Sequence, residues 1–146
     1  MATFNATDLN TKPLFMGGYG NGAVVWGSVI PTAGVLGDVY RPVRIPAGML
    51  VTHLDIVNDD LDTGGTSGSA KIGYAPVNTA EGPAGVDDYF SATSNFLTSA
   101  GRKVCAFHPI KFEKDVWVTI TFTLSTTTFA SGKVTAVAMG QAEGIK

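Results

Sequence analysis

Cysteine and charge are scarce in this sequence. Cys105 is the only cysteine among 146 residues, and charged residues make up 15% of the chain. A single thiol forms no internal disulfide and cannot supply a multi-cysteine metal site. The net charge is −2, and the only adjacent basic residues are Arg102 and Lys103, too few for a surface that follows nucleic-acid phosphates. The composition therefore excludes a disulfide scaffold and argues against nucleic-acid binding.

Long apolar runs are missing as well. No uninterrupted stretch approaches the roughly 18 apolar residues that a membrane-spanning helix needs. The opening residues, Met1-Ala2-Thr3-Phe4-Asn5, have neither the basic start nor the apolar segment of a signal peptide. We expect a protein that is made in a cytoplasm and has no membrane partner.

What the sequence does contain is a series of short strand patterns. Hydrophobic residues make up 45% of the chain, and 18 glycines and 7 prolines are scattered along it. Residues 116–124 alternate apolar side chains with Trp117 and three threonines, the pattern of a strand with one buried face. Seven or eight such strands, with little helical pattern, predict an all-β antiparallel β-sandwich, jelly-roll-like in architecture.

The first 21 residues differ from the rest. They show neither helical nor alternating order, and their apolar residues are widely separated. We predict an extended N-terminal arm over residues 1–21 and a single β-sandwich domain over residues 22–146. An arm of this kind can lie across a neighbouring subunit and bury its anchors there. The predicted anchors are Phe4, Leu14, Phe15 and Tyr19.

The densest polar cluster lies at residues 58–65. Asp59, Asp60 and Asp62 could together offer oxygen ligands to a hard cation such as Ca²⁺. The helix-loop-helix calcium pattern fails, however, because Thr63 stands at its glycine position and Ser69 at its glutamate position. The other interpretation is a loop whose side chains hydrogen-bond their own backbone. We predict no metal site and no cofactor, and leave a cation in this loop as the alternative.

No catalytic arrangement stands out. His53 and Asp55 lie two residues apart on a predicted strand, but no Gly-x-Ser-x-Gly elbow marks a nucleophile. Adjacent carboxylates at Asp87 and Asp88 are better suited to capping a short helix than to acid–base catalysis. Cys105 lies in an apolar run, where a cysteine acts as a small buried hydrophobe. The sequence therefore predicts that the protein is not an enzyme.

Two tryptophans remain, Trp26 and Trp117. Either could stack on a sugar ring. Trp117 shares its strand face with threonines, so that face is expected to be exposed to solvent or covered by another subunit. We predict a subunit or capsid interface at Trp117.

Three segments of the sequence together resemble one known family. The first is Asp38-Val39-Tyr40-Arg41-Pro42-Val43-Arg44-Ile45-Pro46-Ala47-Gly48, the second is Leu54-Asp55-Ile56-Val57-Asn58-Asp59-Asp60-Leu61-Asp62-Thr63-Gly64, and the third is Ile72-Gly73-Tyr74. The order of strand, turn, strand, acidic loop and small-residue strand resembles the capsid decoration (cement or head-outer) proteins of tailed bacteriophages. The likeness extends over roughly residues 35–140 and leaves the arm unmatched.

The resemblance implies a virion structural protein on the outer surface of the capsid, synthesised in the cytoplasm of the host bacterium. Its implied partner is the major capsid protein, and it is expected to be a homo-oligomer, a trimer or a dimer. It would stabilise the shell by non-covalent cross-linking of capsomers. The alternative is a carbohydrate- or receptor-binding β-sandwich module of a phage tail or fibre.

Overall fold

The computed structural model describes residues 3–5, 15–16, 21–65 and 67–145. Its strands are β1 (Thr3–Asn5), β2 (Phe15–Met16), β3 (Gly22–Val29), β4 (Val39–Arg41), β5 (Arg44–Ile45), β6 (Met49–Asn58), β7 (Ser69–Pro76), β8 (Val86–Ser94), β9 (Gly101–Val104), β10 (Ile110–Lys111), β11 (Val116–Leu124) and β12 (Val134–Ala142). A single 3₁₀ turn covers Phe96–Thr98. Within these ranges, no helix has the length and apolar character to cross a membrane.

The strands form two six-stranded sheets packed face to face. Sheet A has the order β1-β4-β11-β7-β8, and β5 also pairs with β11. Sheet B has the order β10-β6-β12-β3-β2, and β9 also pairs with β6. Every pairing is antiparallel except that of β1 with β4, which is parallel. The chain passes repeatedly from one sheet to the other, and the predicted all-β sandwich is confirmed.

The core lies between the sheets. Strand β11 is central in sheet A, and its alternate residues Val116, Val118, Ile120 and Phe122 are almost fully buried. From sheet B, strands β6 and β12 contribute the facing side chains. They are Met49, Val51, Leu54, Ile56, Val134, Ala136 and Ala138. Burying a side chain of this size contributes about 1.5–3 kcal/mol, so the alternating apolar residues of β11 determine which of its faces packs into the core.

Strand β6 does not alternate regularly along its length. Leu50 and Leu54 are four residues apart, yet Leu50 is only half-buried while Leu54 is in the core together with Met49 and Val51. The reason is a β-bulge, because Met139 pairs with His53 while the next residue, Gly140, pairs with Val51. An extra residue in one strand turns every side chain before it to the opposite face.

The N-terminal segment contributes edge strands to both sheets. Strand β1 extends sheet A beside β4, and β2 extends sheet B beside β3. The predicted anchors Leu14 and Tyr19 lie outside the described residues. The division into an arm at residues 1–21 and a domain at 22–146 stays a prediction.

The segment around Asp87 and Asp88 was predicted wrongly. Asp87 and Asp88 do not cap a helix; they lie in the edge strand β8. Pairing between β7 and β8 is interrupted twice, since Ile72 pairs with Ser91 while Tyr74 pairs with Val86. Such an irregular strand has no regular alternation of polar and apolar residues, which is why it resembled a loop in the sequence.

Candidate interaction surfaces

The arm strands are attached through their backbones. Phe4 is the register partner of Tyr40 on β4, and Phe15 is the register partner of Val24 on β3. Each strand lies at the edge of its sheet, where unpaired N–H and C=O groups can bind a further strand. The predicted contacts of Phe4 and Phe15 with a capsid or neighbouring subunit stay predictions.

Trp117 lies in a different environment from the solvent-exposed or subunit-covered face that was predicted for it. Its side chain is only 6% exposed within the chain itself, so the premise that it needs solvent or another subunit to cover it is wrong. Strand β11 is flanked on both sides, and the register partners of Trp117 are Arg44 on β5 and Ala75 on β7. The burial removes the reason for assigning Trp117 to an interface, and its role as a contact stays a prediction.

The outer face of sheet A is partly covered by the chain. At Gly73, which lies on that face, a Cβ atom would stand 2.0 Å from the carbonyl oxygen of Val86 and 2.5 Å from Cα of Asp87. Strand β8 therefore folds over β7, and Lys71 holds it there through an ion pair with Asp87 at 2.5 Å.

Beside this overhang lies a groove of about 650 Å³. Its lining includes Arg41, Thr119 and Thr121. The Nε atom of Arg41 is buried and has no hydrogen-bond partner among the described residues. The lining of the groove is therefore mixed: the charged side chains of Arg41 and Asp87 lie beside apolar ones such as Val86.

The outer face of sheet B is more apolar. Six side chains on it, from four adjacent strands, form what we call the B-face patch: Val24 and Trp26 of β3, Val137 and Met139 of β12, Val57 of β6 and Val104 of β9. Cross-strand pairing makes the patch continuous, because Val137 pairs with Trp26 on one side and with Asp55 on the other. Trp26 is 48% exposed and Val104 is 61% exposed. Contiguous apolar surface of this kind marks an interaction site.

A carboxylate lies within the B-face patch. Asp55 projects from the outer face between the core residues Leu54 and Ile56, yet it is only 2% exposed. One of its oxygens pairs with the guanidinium of Arg102, whose side chain is 61% exposed. The other oxygen, Oδ1, is buried without a hydrogen-bond partner in the described part of the chain. Leaving a buried acceptor unpaired costs about 1–3 kcal/mol, and the chain carries that cost at Oδ1 of Asp55.

The carboxylates of the acidic loop at residues 58–65 accept hydrogen bonds from backbone N–H groups. Asp62 is fully buried, and its Oδ2 accepts a hydrogen bond from Gly68 at 2.9 Å. Asp59 accepts one from Lys133, and Asp60 accepts one from Asp62 itself. Within the described ranges, no group of three acidic, histidine or cysteine side chains is arranged to hold a metal ion. The geometry is that of the self-bonded loop, the second of the two interpretations of this segment.

The remaining chemically reactive side chains are separated or buried. His53 and His108 are both exposed, His53 on β6 and His108 in the loop before β10. Cys105 is 7% exposed, and burial raises the pKa of its thiol to about 11. A thiol with so high a pKa is a poor nucleophile at neutral pH, which agrees with the predicted role of a small buried hydrophobe.

Sequence reasoning missed the B-face patch. The available signal was the composition of β3, which has no charged residue over its eight positions. An antiparallel strand with one face in water normally alternates apolar with polar residues. The lack of that alternation in β3 would have marked Trp26 and its strand as a candidate interaction surface.

No family model matches this chain, and no curated protein matches its sequence. Its fold does match chains in solved capsid structures. A chain in the capsid of Ralstonia phage GP4 superposes with a TM-score of 0.77 over 99% of both chains, at 19% identity. A chain in the cyanophage Pam1 capsid asymmetric unit gives 0.66 at 20% identity, covering 93% of this chain and 97% of that one.

A third match is to a chain in the acid-stable capsid structure of Helicobacter pylori bacteriophage KHP30. It has a TM-score of 0.55 and 15% identity, and covers 80% of this chain and 86% of that one. At these identities the likeness establishes the fold. The chain therefore shares its two-sheet fold with chains of three bacteriophage capsid structures.

Proposed function

We propose that this chain is a virion structural protein that binds the outer surface of a phage capsid and stabilises it by non-covalent cross-linking of capsomers. The observation that carries the proposal is the superposition over 99% of both chains with a chain in a phage capsid. That neighbour is therefore about the same size as this chain and has the same fold throughout, rather than being a larger protein with one similar domain.

The chemistry of the described residues supports a protein that acts by binding other molecules through its outer surfaces. The carboxylates of the acidic loop bind backbone N–H groups, and the thiol is buried. The outer face of strands β3, β6, β9 and β12 carries valine, threonine and one long charged side chain, that of Arg102. Ordering such side chains at an interface costs little conformational entropy. A protein of this kind gains its binding free energy from area and shape rather than from a few charged contacts.

In this proposal the partner is the major capsid protein, and the N-terminal arm takes part in docking. Strands β1 and β2 extend two different sheets from one short segment. Both sheet edges on this side of the sandwich are therefore built by the arm. A shell strand that docks at either edge would contact the arm directly.

The test uses particles of the encoding phage produced without this chain. Purified full-length protein is added to them, and binding is measured by co-sedimentation and electron microscopy. We expect saturable decoration of the outer surface and a higher temperature of capsid disruption. Failure to sediment with the particles, together with absence of the chain from complete virions by mass spectrometry, would overturn the proposal.

The arm is tested in the same assay by deleting residues 2–20. We expect binding to be lost because both arm-built edges disappear. Circular dichroism and thermal unfolding of the deleted protein establish whether the sandwich itself remains folded. A folded deletion variant that decorates particles normally would contradict the role of the arm and leave the rest of the proposal standing.

A second function is favoured by one observation, the 48% exposure of Trp26 on a sheet face. Exposed tryptophan rings stack on sugars, so a carbohydrate- or receptor-binding module is the competing assignment. It predicts saturable binding on a glycan array that is lost in Trp26→Ala and kept in Val104→Ala. The buried Trp117 offers no such surface.

A further inference from the structure

We propose that the groove on the outer face of sheet A binds an aspartate or glutamate side chain carried by an extended segment of a partner protein. We call it the A-face groove, and its lining includes Val39, Arg41, Val86, Asp87, Thr119 and Thr121. Arg41 pairs with the incoming carboxylate, and the hydroxyl of Thr119 donates a further hydrogen bond. The inference goes beyond the proposed function and does not depend on it, because the groove belongs to the single chain.

The floor of the A-face groove places its two main donors side by side. Tyr40 on β4 and Ile120 on β11 are register partners, and both side chains lie in the core. Successive side chains of a strand point to opposite faces of the sheet, so the neighbouring Arg41 and Thr119 both point outward. Cross-strand neighbours of this kind have Cβ atoms about 5 Å apart, so one small ligand group can contact both.

The far wall of the groove is strand β8. Two residue steps along β7 correspond to five along β8, so β8 has surplus chain, which passes over Gly73. An ion pair between Lys71 and Asp87 fixes this overhang. Gly73 is the register partner of Thr119, so the overhang stands directly beside Thr119. The groove is therefore bounded on two sides, by β4 and by β8.

Both donors lack partners within the described part of the chain. Thr119 is only 3% exposed, yet its hydroxyl makes no hydrogen bond with any described residue. The guanidinium of Arg41 forms no ion pair with one either, and its Nε atom is buried. Burial of Nε holds the stem of the side chain in place, while the terminal nitrogens are not sealed from solvent. Buried polar groups normally have a partner, so these donors indicate an acceptor supplied from outside the chain.

The charge of the groove selects a carboxylate. Asp87 is neutralised by Lys71, which leaves one net positive charge, that of Arg41. A carboxylate carries a single negative charge, and its two oxygens match the terminal nitrogens of a guanidinium. A phosphate group carries nearly two negative charges and would bring the second one close to Asp87. Charge complementarity therefore favours aspartate or glutamate as the bound side chain.

The shape of the groove selects an extended segment. Strands β4 and β7 flank β11, so their axes lie about 10 Å apart, and the β8 overhang narrows the opening further. A helix is about 10–12 Å across and does not reach the floor, whereas a single extended chain does. The groove measures about 650 Å³, more than one carboxylate fills. Val39 and Val86 offer apolar contacts to the neighbouring residues of the segment.

The test is an NMR titration of the full, ¹⁵N-labelled chain with the blocked peptide acetyl-Val-Thr-Glu-Thr-Val-amide, which favours an extended conformation. The matched probe replaces its glutamate by glutamine. We expect saturable shifts of the Arg41 Nε–H signal and of backbone amides in β4 and β11, with a dissociation constant on the order of 1 mM. The glutamine peptide should bind at least about 10-fold more weakly, because hydrogen bonds to a charged group are the stronger kind.

Three variants locate the binding in the groove. Arg41→Gln should weaken binding of the glutamate peptide at least about 10-fold. Thr119→Val removes the hydroxyl and keeps the β-branched shape, so it should weaken binding about 3- to 10-fold with the fold intact. It also serves as the second variant should Arg41→Gln fail to fold. The control is Arg44→Gln, because Arg44 lies on the same sheet but is already paired with Asp115, and it should leave peptide binding unchanged.

Equal binding of the two peptides, unchanged binding by both groove variants, or equal losses in Arg41→Gln and Arg44→Gln would each overturn the inference. Sodium acetate and sodium chloride are titrated separately at matched ionic strength. Acetate that binds as tightly as the peptide would mean that the groove takes a free acid rather than a segment. Shifts reproduced by chloride would mean an adventitious ion only, and either result overturns the proposal. Because this titration contains no capsid, its failure and a failure of capsid decoration are separate results.

Discussion

The Asp62 carboxylate accepts a 2.9 Å hydrogen bond from the backbone N–H of Thr128, a residue 66 positions away. Its Oδ1 also accepts from the N–H of Thr127 at 3.0 Å, and its Oδ2 accepts from Gly68 at 2.9 Å. These bonds, with Thr128 the largest contributor, lower the pKa of Asp62 from its usual 3.8 to about 2. One buried side chain thus joins the acidic loop to the loop after β11.

The first prediction concerns Asp62→Asn. The substitution removes the charge and turns one acceptor into a donor facing N–H groups, so we expect the free energy of unfolding at neutral pH to fall by about 2 kcal/mol. The pKa of Asp62 is lower in the folded than in the unfolded state, so the carboxylate stabilises the fold fully above the unfolded pKa near 3.8. This stabilisation is lost as the pH falls through about 2. The difference between wild type and variant should therefore shrink across that window.

Urea denaturation followed by circular dichroism at several pH values measures this difference. The control is Asp88→Asn, because Asp88 is exposed on β8 and its substitution should change stability by less than about 0.5 kcal/mol. The role of the carboxylate would be contradicted if the difference in unfolding free energy between wild type and Asp62→Asn stayed constant down to about pH 2.

The second prediction concerns Gly73→Ala. A Cβ atom there would overlap the backbone of Val86 and Asp87, which cannot move aside as a side-chain tip can. We expect a loss of about 1–3 kcal/mol and faster amide hydrogen exchange in β8. Gly101→Ala is the control, since no heavy atom lies within 4 Å of the added carbon. Equal stability of the two variants would show that β8 does not rest on β7 as described.

The strongest alternation in the sequence predicted its strand correctly. Val116 to Leu124 alternate because β11 has one face in the core and threonines on the other. The face change within β6 could not be predicted, because the bulge between His53 and Val51 is set by the pairing with β12, which no local pattern reveals. Strand β8 was missed because an irregular edge strand carries charges such as Asp87 and Asp88 without penalty.

The candidate surfaces were harder to predict than the strands. Alternation shows that Trp26 and Trp117 leave the core, but not which outer face the rest of the chain covers. That depends on which strands flank each residue: Trp117 lies on a central strand between β5 and β7, while Trp26 lies on β3 near the sheet edge. Sequence order does not contain this lateral information, so the burial of Trp117 within its own chain could not be predicted.

The third prediction compares how much the fold is destabilised when each tryptophan is replaced by alanine. Trp117 is 6% exposed, so Trp117→Ala should lower the free energy of unfolding by about 3 kcal/mol or more. Trp26→Ala removes an exposed ring and should cost less than about 0.5 kcal/mol in the monomer. Both are measured by urea denaturation at low protein concentration, with circular dichroism because the fluorescent residue is lost. Similar losses for both variants would contradict the assignment of Trp117 to the chain's own interior.

The fourth prediction concerns the thiol of Cys105. Its burial and its pKa of about 11 both keep it protonated and shielded at pH 8. We expect a thiol reagent to label the native protein at least about 100-fold more slowly than the urea-unfolded protein, whose thiol has an ordinary pKa of about 8.5. The rate should rise with urea in step with unfolding, because the reagent reaches the sulfur only in the open state.

The control for Cys105 is a variant that moves the thiol by one residue. Val104→Cys combined with Cys105→Ala places it at a position that is 61% exposed on the B-face patch. Rapid native labelling of that variant shows that the reagent and the surrounding charges are not limiting. A Cys105 thiol that reacts as fast as the control would mean that β9 does not shield it from solvent.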